Sequence, residues 1–488
     1  MTDSIGDYDL VFRSSAVDPG DLFVVRVNGR EAISSLFDFE VHVETTFGGA
    51  LEPSQVDALL SSAAYLAFGA DEEHKYHGVV REIEMLSMAD PSPVHYRLRF
   101  VPKMFDTTLT FGTWIYQELS VPEIIKEVLK EAGFQDGKDY EFRGVGAYAK
   151  KEYVVQYAES DFHFISRLME HEGLYYFFEH GDDGAKMVVA DVNGTSRPLE
   201  GHESIPYDPR IGLADFREAI TAFSHTQTVV PRKLQVREYN YRTPSAPMTA
   251  DDDVDPTGVG HQTYYGEHYK DKAAGKKLAK VRSQEWLAQK NVYHGGGRVR
   301  GLRSGHRFTL EQHMLSALDG DYLVTEVTHS VEQAGSGGGA NAGYTMEFVA
   351  IPQAVQFRPR RVTQKPRLYG VIQGKIDAAS DGVRTVPIDE HGRYKVLLPF
   401  DIGGAAGGKA SRWIRMAQTA SGSGFGMHFP LHVGTEVLLT HIEGDPDRPI
   451  IVGSVPNHET ASPVTSANAS QSKIATRHGI TVTLDDQS

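Results

Sequence analysis

Apolar and polar residues alternate along much of the first hundred residues, most regularly from Phe37 to Glu44. A period of two predicts a β-strand with one buried face. Residues 78–84 and 95–102 repeat this alternation on either side of a polar loop, so they predict a β-hairpin.

The hairpin pattern recurs in residues 322–350. Val80 aligns with Val324 in the first strand, and Phe100 aligns with Phe348 in the second. Two interpretations stay open: the chain contains a duplicated barrel, or two amphipathic hairpins look alike without being related.

Helical signals lie between the two hairpins. Ser120 and Glu123 form a capping-box pattern before an apolar stripe that stops at Gly133. A second apolar stripe predicts a helix over residues 161–172, ended by Gly173.

Five further segments follow in the later part of the chain. Residues 251–255 are acidic and predict an exposed loop, and residues 267–289 predict a Lys- and Ala-rich helix. Residues 352–366 contain three prolines and four cationic residues, which predicts a linker. Short strands follow up to Asn457, and residues 473–486 predict two strands too short to bury a core alone.

Composition narrows the class of protein. A chain of 488 residues is too long for one ordinary core and predicts several domains. The net charge of −16 disfavours a nucleic-acid partner. The absence of cysteine excludes disulfides, thiolate metal sites and a cysteine nucleophile. No signal peptide or membrane-spanning apolar run is visible, so we expect any export to use another route.

One glycine-rich segment invites a nucleotide-binding interpretation. Gly403 to Lys409 fits the first seven positions of a phosphate-binding loop. The eighth position, which must carry a hydroxyl to hold magnesium, is Ala410. The residues that follow predict a strand rather than the required helix, so a loop between two strands is favoured.

Other candidate sites are weaker still. His171 lacks the second histidine of a zinc-protease helix, because Tyr175 stands in its place, and we expect His163, His171 and His180 to be surface or cap residues. Residues 251–255 lack the glycine and the final glutamate of a calcium loop. Ala420 breaks a nucleophile-elbow pattern at Ser421–Gly424, and no carboxylate spacing singles out a glycosidase pair. We therefore expect no catalytic, cofactor or metal residues.

Two apolar, β-branched runs in residues 437–457 flank a compact polar corner. Gly444 can adopt the positive φ that a tight turn needs. We expect Asp445, Asp447 and Arg448 to bond the local backbone and to form a local ion pair.

Residues 157–180 resemble the hallmark segment of the VgrG-type spike proteins of type VI secretion systems. Four further segments agree with that family in order: residues 27–41, 389–396, 411–418 and 443–450. The family is similar to the phage T4 baseplate hub joined to the OB-fold and β-helix spike of the tail lysozyme.

The resemblance implies a mainly β (α+β) chain with duplicated tube-forming β-barrels, helical insertions, an OB-fold and the start of a trimeric β-helix. Residues 1–360 would be the hub-like base, with barrels at about 1–105 and 226–355 and an α+β region between them. Residues 361–457 would be a linker and the OB-fold. Residues 458–488 would begin a shaft that is apparently truncated relative to the family.

The implied function is that of a structural spike of a contractile injection machine, not of an enzyme. Implied partners are two further copies, an Hcp-like hexameric tube protein, a PAAR-like tip protein, baseplate proteins, and effectors or their adaptors, with no nucleic acid and no cofactor. Such a spike is assembled in the bacterial cytoplasm and then secreted or injected. The alternatives are a phage-tail or extracellular contractile spike, and a spike with cell-wall hydrolase activity.

Two departures and one alternative activity concern the OB-fold. Residues 399–401 and 427–432 depart from the usual family residues, although Pro430 matches. An OB-fold can also bind oligonucleotides or oligosaccharides through exposed aromatic residues. Trp413 and Phe425 are available for this, and we expect both to pack inside the barrel instead.

Overall fold

The computed structural model describes residues 10–486, apart from 47–48, 70–71, 73, 89–92, 183, 211–216, 334–342, 379–385, 402 and 404–405. Two compact units are present. The first comprises Met1–Thr110, Ile125–Ala147 and Phe162–Gln364, and the second comprises Phe111–Ile124, Tyr148–Asp161 and Lys365–Ser488. Two pieces of the region expected to belong to the base therefore group with the OB-fold. The glycine-rich stretch at residues 335–339, between the two strands of the second hairpin, lies outside the described residues.

The described chain contains four α-helices: α1 (Pro53–Ser61), α2 (Val121–Glu131), α3 (Asp161–Glu172) and α4 (Lys272–Leu287). Its strands are β1 (Leu10–Ser14), β2 (Leu22–Ala32), β3 (Asp38–Thr45), β4 (Ala63–Phe68), β5 (His74–Met88), β6 (Val94–Val101), β7 (Phe111–Tyr116), β8 (Tyr140–Arg143), β9 (Val154–Ser160), β10 (Tyr175–Gly181), β11 (Gly184–Ala190), β12 (Ser204–Pro206), β13 (Ala219–Gln227), β14 (Lys233–Glu238), β15 (Met248–Asp253), β16 (His261–Tyr265), β17 (Asn291–Arg298), β18 (Arg307–Glu311), β19 (Gly320–Glu332), β20 (Gly343–Pro352), β21 (Ile372–Ile376), β22 (Val396–Leu397), β23 (Arg415–Met416), β24 (Glu436–His441), β25 (Pro449–Ser454), β26 (Gln471–Ala475) and β27 (Thr481–Asp485).

The predicted caps and stops explain two of the helices. The Ser120 amide donates to Glu123 at 2.7 Å, as the capping-box pattern predicted. Helix α3 has the predicted bounds, and Gly173 follows it with a φ of +78°. Helix α4 is shorter than predicted, because it begins only at Lys272, after the N-cap Asp271.

A twelve-stranded sheet dominates the first unit, and its strand order repeats. The path runs β1-β4-β5-β6-β3-β2, then β19-β20-β17-β13, with β12 and β18 attached to β19. The second set therefore reads β12-β18-β19-β20-β17-β13, in which each strand corresponds in position to one of the first set. Strand β2 of the first half pairs with β19 of the second half and makes the sheet continuous.

Matching β-bulges fix how the two halves correspond. The β5–β6 pairing shifts between Val80 and Glu82, and the β19–β20 pairing shifts between Val324 and Glu326. Val80 therefore corresponds to Val324, as the sequence indicated. Val80 pairs with Phe100 whereas Val324 pairs with Ala350, so the sequence alignment of the second strand was wrong by two residues.

Two smaller sheets complete the first unit. Strands β10, β11 and β8 form one, and β15, β14 and β16 form the other, which packs on α4 through a core that includes Leu234, Val236 and Leu278. The acidic run expected as a loop was misassigned: Asp251–Asp253 close strand β15. The Lys233 ammonium on β14 lies 2.6 Å from the Asp251 carboxylate. The pairing of β14 with β15 therefore brings a positive charge next to the three aspartates.

The second unit contains a five-stranded sheet in the order β22-β21-β24-β25-β23 and a separate pair of strands, β7 and β9. Tyr394, Ile414 and Leu439, none of them exposed, lie in the core of the five-stranded barrel, and Ile115 of β7 packs against that core. This is the small barrel that the short strands of the sequence predicted.

The predicted linker has no strand beyond Pro352 but is tied to the first unit. Arg358 donates to the carbonyls of Gly173 and Asp191 at 2.8 Å. Thr363 donates through both its amide and its hydroxyl to Glu170. Residues 353–364 therefore form a fixed strap along this unit, a property that proline content alone does not reveal.

Candidate functional site

The polar corner between β24 and β25 is built from backbone turns and two buried carboxylates. Gly444 has a φ of +70° and Glu443 a φ of +56°. The Asp447 amide donates to the Asp445 side chain at 2.9 Å, which holds the turn. Gly444 also has no room for a side chain, since a Cβ there would lie 2.8 Å from the ring of Tyr369.

Lys365 is the cationic partner of this corner. Its ammonium lies 2.6 Å from Asp445 and 2.5 Å from Asp447. Asp447 also accepts a hydrogen bond from the amide of Val155 in β9 at 2.7 Å. The corner therefore holds three segments of the second unit together. The sequence assigned the local ion pair to Arg448, and no short-range pattern pointed to Lys365.

The glycine-rich segment that resembled a phosphate-binding loop is occupied by a carboxylate of the chain itself. The amides of Gly407 and Gly408 donate to the two oxygens of Asp377, at 3.1 and 2.7 Å. These are the donors that would have to face a phosphate. Strand β23 follows the segment, so the loop-between-strands interpretation agrees with the structure.

The histidines of the α3–β10 region do not converge on one site. His171 contacts Glu172 and lies 3.7 Å from Glu267. His180 was expected at the surface or at a cap but packs against Tyr76, with ring centroids 5.0 Å apart. Its Nδ1 accepts the amide of His77 at 3.0 Å, and its Nε2 is buried without a partner. Burial lowers the pKa of His180 to about 4.

The two OB-fold aromatics differ in exposure. Trp413 is half-buried, with the Lys395 ammonium 5.4 Å from its ring centre. Phe425 is 75% exposed, which corrects the expectation that it packs inside. Phe429 and Tyr369 of the same unit are also exposed, at 54% and 79%, and the net charge of −16 disfavours a nucleic-acid partner for these rings.

A buried polar cluster lies where β2 meets β19. The Tyr76 hydroxyl is 2.7 Å from Glu31 and 2.9 Å from Nε2 of His329, and the Tyr344 hydroxyl is 2.9 Å from Nδ1 of His329. The Arg303 guanidinium lies over the Tyr76 ring at 3.4 Å. Although burial works in the opposite direction, the His329 hydrogen bond and the Arg303 charge lower the pKa of Glu31. Every charge here is compensated inside the sheet, which makes the cluster part of the joint between the two halves.

The terminal hairpin of β26 and β27 exposes its apolar residues. Ile474, Val482 and Leu484 are 49%, 56% and 66% exposed, and Ile480 in the turn is 72% exposed. A two-stranded hairpin with no core of its own is marginally stable in isolation. These residues therefore form an apolar surface that a further chain could cover.

A sheet of two corresponding halves, followed along the chain by a five-stranded OB-type barrel and an exposed hairpin, defines a hub-type component of a tail-like injection machine. Residues 30–335 match the family described as phage tail baseplate hub (GPD), and residues 385–455 match the type VI secretion system/phage-baseplate injector OB domain. The chain belongs to the family of type VI secretion system spike proteins.

The curated and solved relatives agree with this assignment. VgrG1a of Pseudomonas aeruginosa is 31% identical over 94% of this chain and 71% of its own length. The chain spans 55% to 64% of four further P. aeruginosa spike proteins. The E. coli c3393 protein, a type VI secretion component described as similar to T4 tail proteins gp27 and gp5, has a TM-score of 0.68 at 21% identity, covering 91% of this chain and 99% of its own. The Francisella PdpA–VgrG complex has a TM-score of 0.61 at 10% identity, and the match covers 98% of this chain and 83% of that chain.

The mainly β fold, the OB domain and the hub likeness that the sequence predicted are thus confirmed. Among the described residues, none of the helices combines the length and the apolar character needed to span a membrane.

Proposed function

We propose that this chain is a homotrimeric structural spike that caps a contractile tube, punctures the target membrane and carries effectors. The observation that carries the proposal is the order of parts in one chain: the hub segment, then the OB domain, then a hairpin without a core. The division into a base (1–360), a linker with OB-fold (361–457) and the start of a shaft (458–488) is part of the proposal.

Trimerisation is supported by the terminal hairpin. Val482 and Leu484 lie on β27 with more than half of their surface exposed. Equivalent strands of two further copies would bury these side chains, as in a β-helix shaft wound from three chains. The free energy gained is on the order of 1.5–3 kcal/mol for each large apolar side chain that becomes fully buried.

The remaining partners follow from the family. Two hub halves per chain and three chains would give six similar units, which suits a hexameric tube protein of the Hcp kind. A PAAR-like tip protein, baseplate proteins and effectors or their adaptors complete the assembly. The PdpA–VgrG complex supports an effector or accessory partner. The spike would be assembled in the cytoplasm and secreted through the machine.

The proposed role is mechanical and involves no catalytic residue. The glycine-rich loop binds its own Asp377, and the histidines of the α3–β10 region are separated. Purified protein should release no soluble fragment from peptidoglycan, and release of muropeptides would restore the hydrolase alternative.

Light scattering on the full chain tests the trimer. We expect a mass of three chains at micromolar concentration, and a three-fold particle with a tapering end in negative-stain images. Val482→Asp combined with Leu484→Asp should reduce the mass to that of one chain. Val259→Asp, at a residue 72% exposed but outside the hairpin, is the matched control and should leave the mass unchanged. A wild-type monomer would contradict the proposal.

A further inference from the structure

The outward side of helix α4 carries three lysines in one row. Lys272, Lys276 and Lys280 are exposed and four residues apart, so they follow the same side of the helix over about 12 Å. The opposite side, which includes Leu278 and Ala279, packs on the sheet of β14 and β15. The three lysines, called the lysine face below, therefore mark the side that α4 presents to solvent.

None of these three ammonium groups pairs with a carboxylate among the described residues. Several exposed lysines elsewhere do: Lys126 pairs with Asp136, and Lys375 pairs with Glu459. Such pairing is expected in a chain where Asp and Glu outnumber Lys and Arg by 65 to 49. The lysine face is therefore a local positive surface on a protein of net charge −16.

The row works against the stability of α4. Like charges at positions i and i+4 repel each other, which applies to Lys272 with Lys276 and to Lys276 with Lys280. Lys272 is also the first helical residue, where the positive end of the helix dipole disfavours a cation, and the first turn contains no acidic residue. Residues that break local rules of stability without a compensating contact are expected where a protein binds a partner.

We propose that the lysine face of α4 docks an acidic helix of a partner protein. Carboxylates at positions i, i+4 and i+8 of such a helix recur about every 6 Å, which is also the spacing of the three lysines along α4. Ala273 beside the row is small and exposed, so it leaves room for a close approach. Docking would pair each lysine and remove the repulsion within α4.

The chemistry of α4 favours a protein over other polyanions. Its exposed residues are all lysine or alanine, so it offers no aromatic ring for stacking bases and no large apolar side chain for insertion among lipids. A long nucleic acid would extend beyond a row of about 12 Å and meet a chain that is acidic overall. A short acidic helix matches the row without that repulsion.

Carbodiimide coupling tests the docking, because it joins an amine to a carboxylate only where the two are in contact and so records weak ion pairs. The probe is a peptide of four Glu-Ala-Ala-Gln repeats with blocked termini, which carries its carboxylates on one helical side. On the full chain, we expect coupling at the lysine face to exceed coupling at Lys130 and Lys138, which are also exposed, at least fivefold in peptide mass spectrometry.

The geometry of the probe and of the row are each controlled. An isomeric peptide with its glutamates distributed around the helix should couple to the lysine face at least fivefold less. Lys276→Glu should lower coupling at Lys272 and Lys280 by a similar factor, whereas Lys276→Arg keeps the charge and should preserve it. Lys126→Glu makes the same change of net charge elsewhere and should leave coupling at the lysine face unchanged.

The Lys276→Glu variant also measures what the row costs the fold. It replaces two repulsive i, i+4 pairs with attractive ones, so the urea midpoint of the first unit should rise while coupling falls. A folding defect would lower both. A lowered midpoint would show that the lysines stabilise the fold itself, and it would overturn the proposal.

Competition identifies the class of partner. A thymidine oligonucleotide, or vesicles of phosphatidylcholine with phosphatidylglycerol, should suppress the coupling less than an equal charge of unlabelled peptide does. Stronger suppression by either would overturn the assignment to a protein partner. Coupling spread evenly over all exposed lysines would overturn the docking surface. None of these results bears on the trimer, which light scattering tests separately.

Discussion

Arg282 and Glu267 form an ion pair inside the first unit, with 3.0 Å between Nη2 and Oε2 and no exposed surface on the arginine. Arg361 of the strap approaches the other oxygen of Glu267 at 2.7 Å. Burial opposes ionisation, but the charges of Arg282, His171 and Arg361 lower the pKa of Glu267 to about 2. One carboxylate therefore holds helix α4 and the strap together.

Replacing Glu267 with Gln should strongly destabilise this unit, because the Arg282 charge would remain buried with only Glu285, at 3.9 Å, nearby. Removing one member of a buried pair costs about 3–5 kcal/mol. Urea-induced unfolding at pH 7 measures the change. Glu326→Gln, which breaks the exposed Arg30–Glu326 pair, is the control and should cost less than about 1 kcal/mol. Equal losses in the two variants would show that the Glu267 pair is not a principal stabilising contact.

His180 should make the first unit less stable in weak acid. Burial lowers the pKa of His180 from 6.5 to about 4. The charge of Glu31 acts against this shift, and the charge of His77 adds to it. The unfolded state therefore binds a proton first as pH falls, so stability present above pH 6.5 is lost between 6.5 and about 4, by up to about 3 kcal/mol.

The pH dependence of the urea midpoint tests this. His180→Gln removes one titrating group and should make the decline between pH 6.5 and 4.5 shallower without abolishing it. Burial also lowers the pKa of His74, His171, His306 and His329, which contribute to the same decline. His261→Gln, at an exposed position, is the control and should decline as the wild type does. A decline of unchanged steepness in His180→Gln would refute the assignment to His180.

The sequence predicted which residues form a helix or its cap better than it predicted which residues distant in the chain contact one another. The α3 boundaries and the Ser120–Glu123 cap are local and appeared where expected. The Lys365–Asp447 pair is separated by 82 residues, so no periodicity could indicate it. Asp251–Asp253 was misassigned because pairing to β14 outweighs the low β-propensity of aspartate.

Asp447 should be the more sensitive of the two corner carboxylates, since it alone accepts the amide of Val155. Asp447→Ala would remove that buried hydrogen bond, at a cost of about 1–3 kcal/mol. Lys365→Met leaves the two buried carboxylates without the Lys365 cation, so it should cost more, about 3–5 kcal/mol. Thermal unfolding of the second unit compares the two variants. A smaller loss for Lys365→Met would mean that the Val155 amide bond, not charge compensation, governs the corner.

Gly444→Ala tests whether the corner depends on backbone geometry. The residue has a φ of +70°, and an added Cβ would lie 2.8 Å from Tyr369, so strain and collision act together. We expect a loss of about 1–3 kcal/mol in the stability of the second unit, measured by urea unfolding. Gly453→Ala in β25 adds the same methyl where nothing lies within 4 Å, and should change stability by less than about 0.5 kcal/mol. If Tyr369→Ala rescues most of the Gly444→Ala loss, the collision is the larger part. If it rescues none, the positive φ accounts for the cost, and only a glycine-tolerant turn can close this barrel.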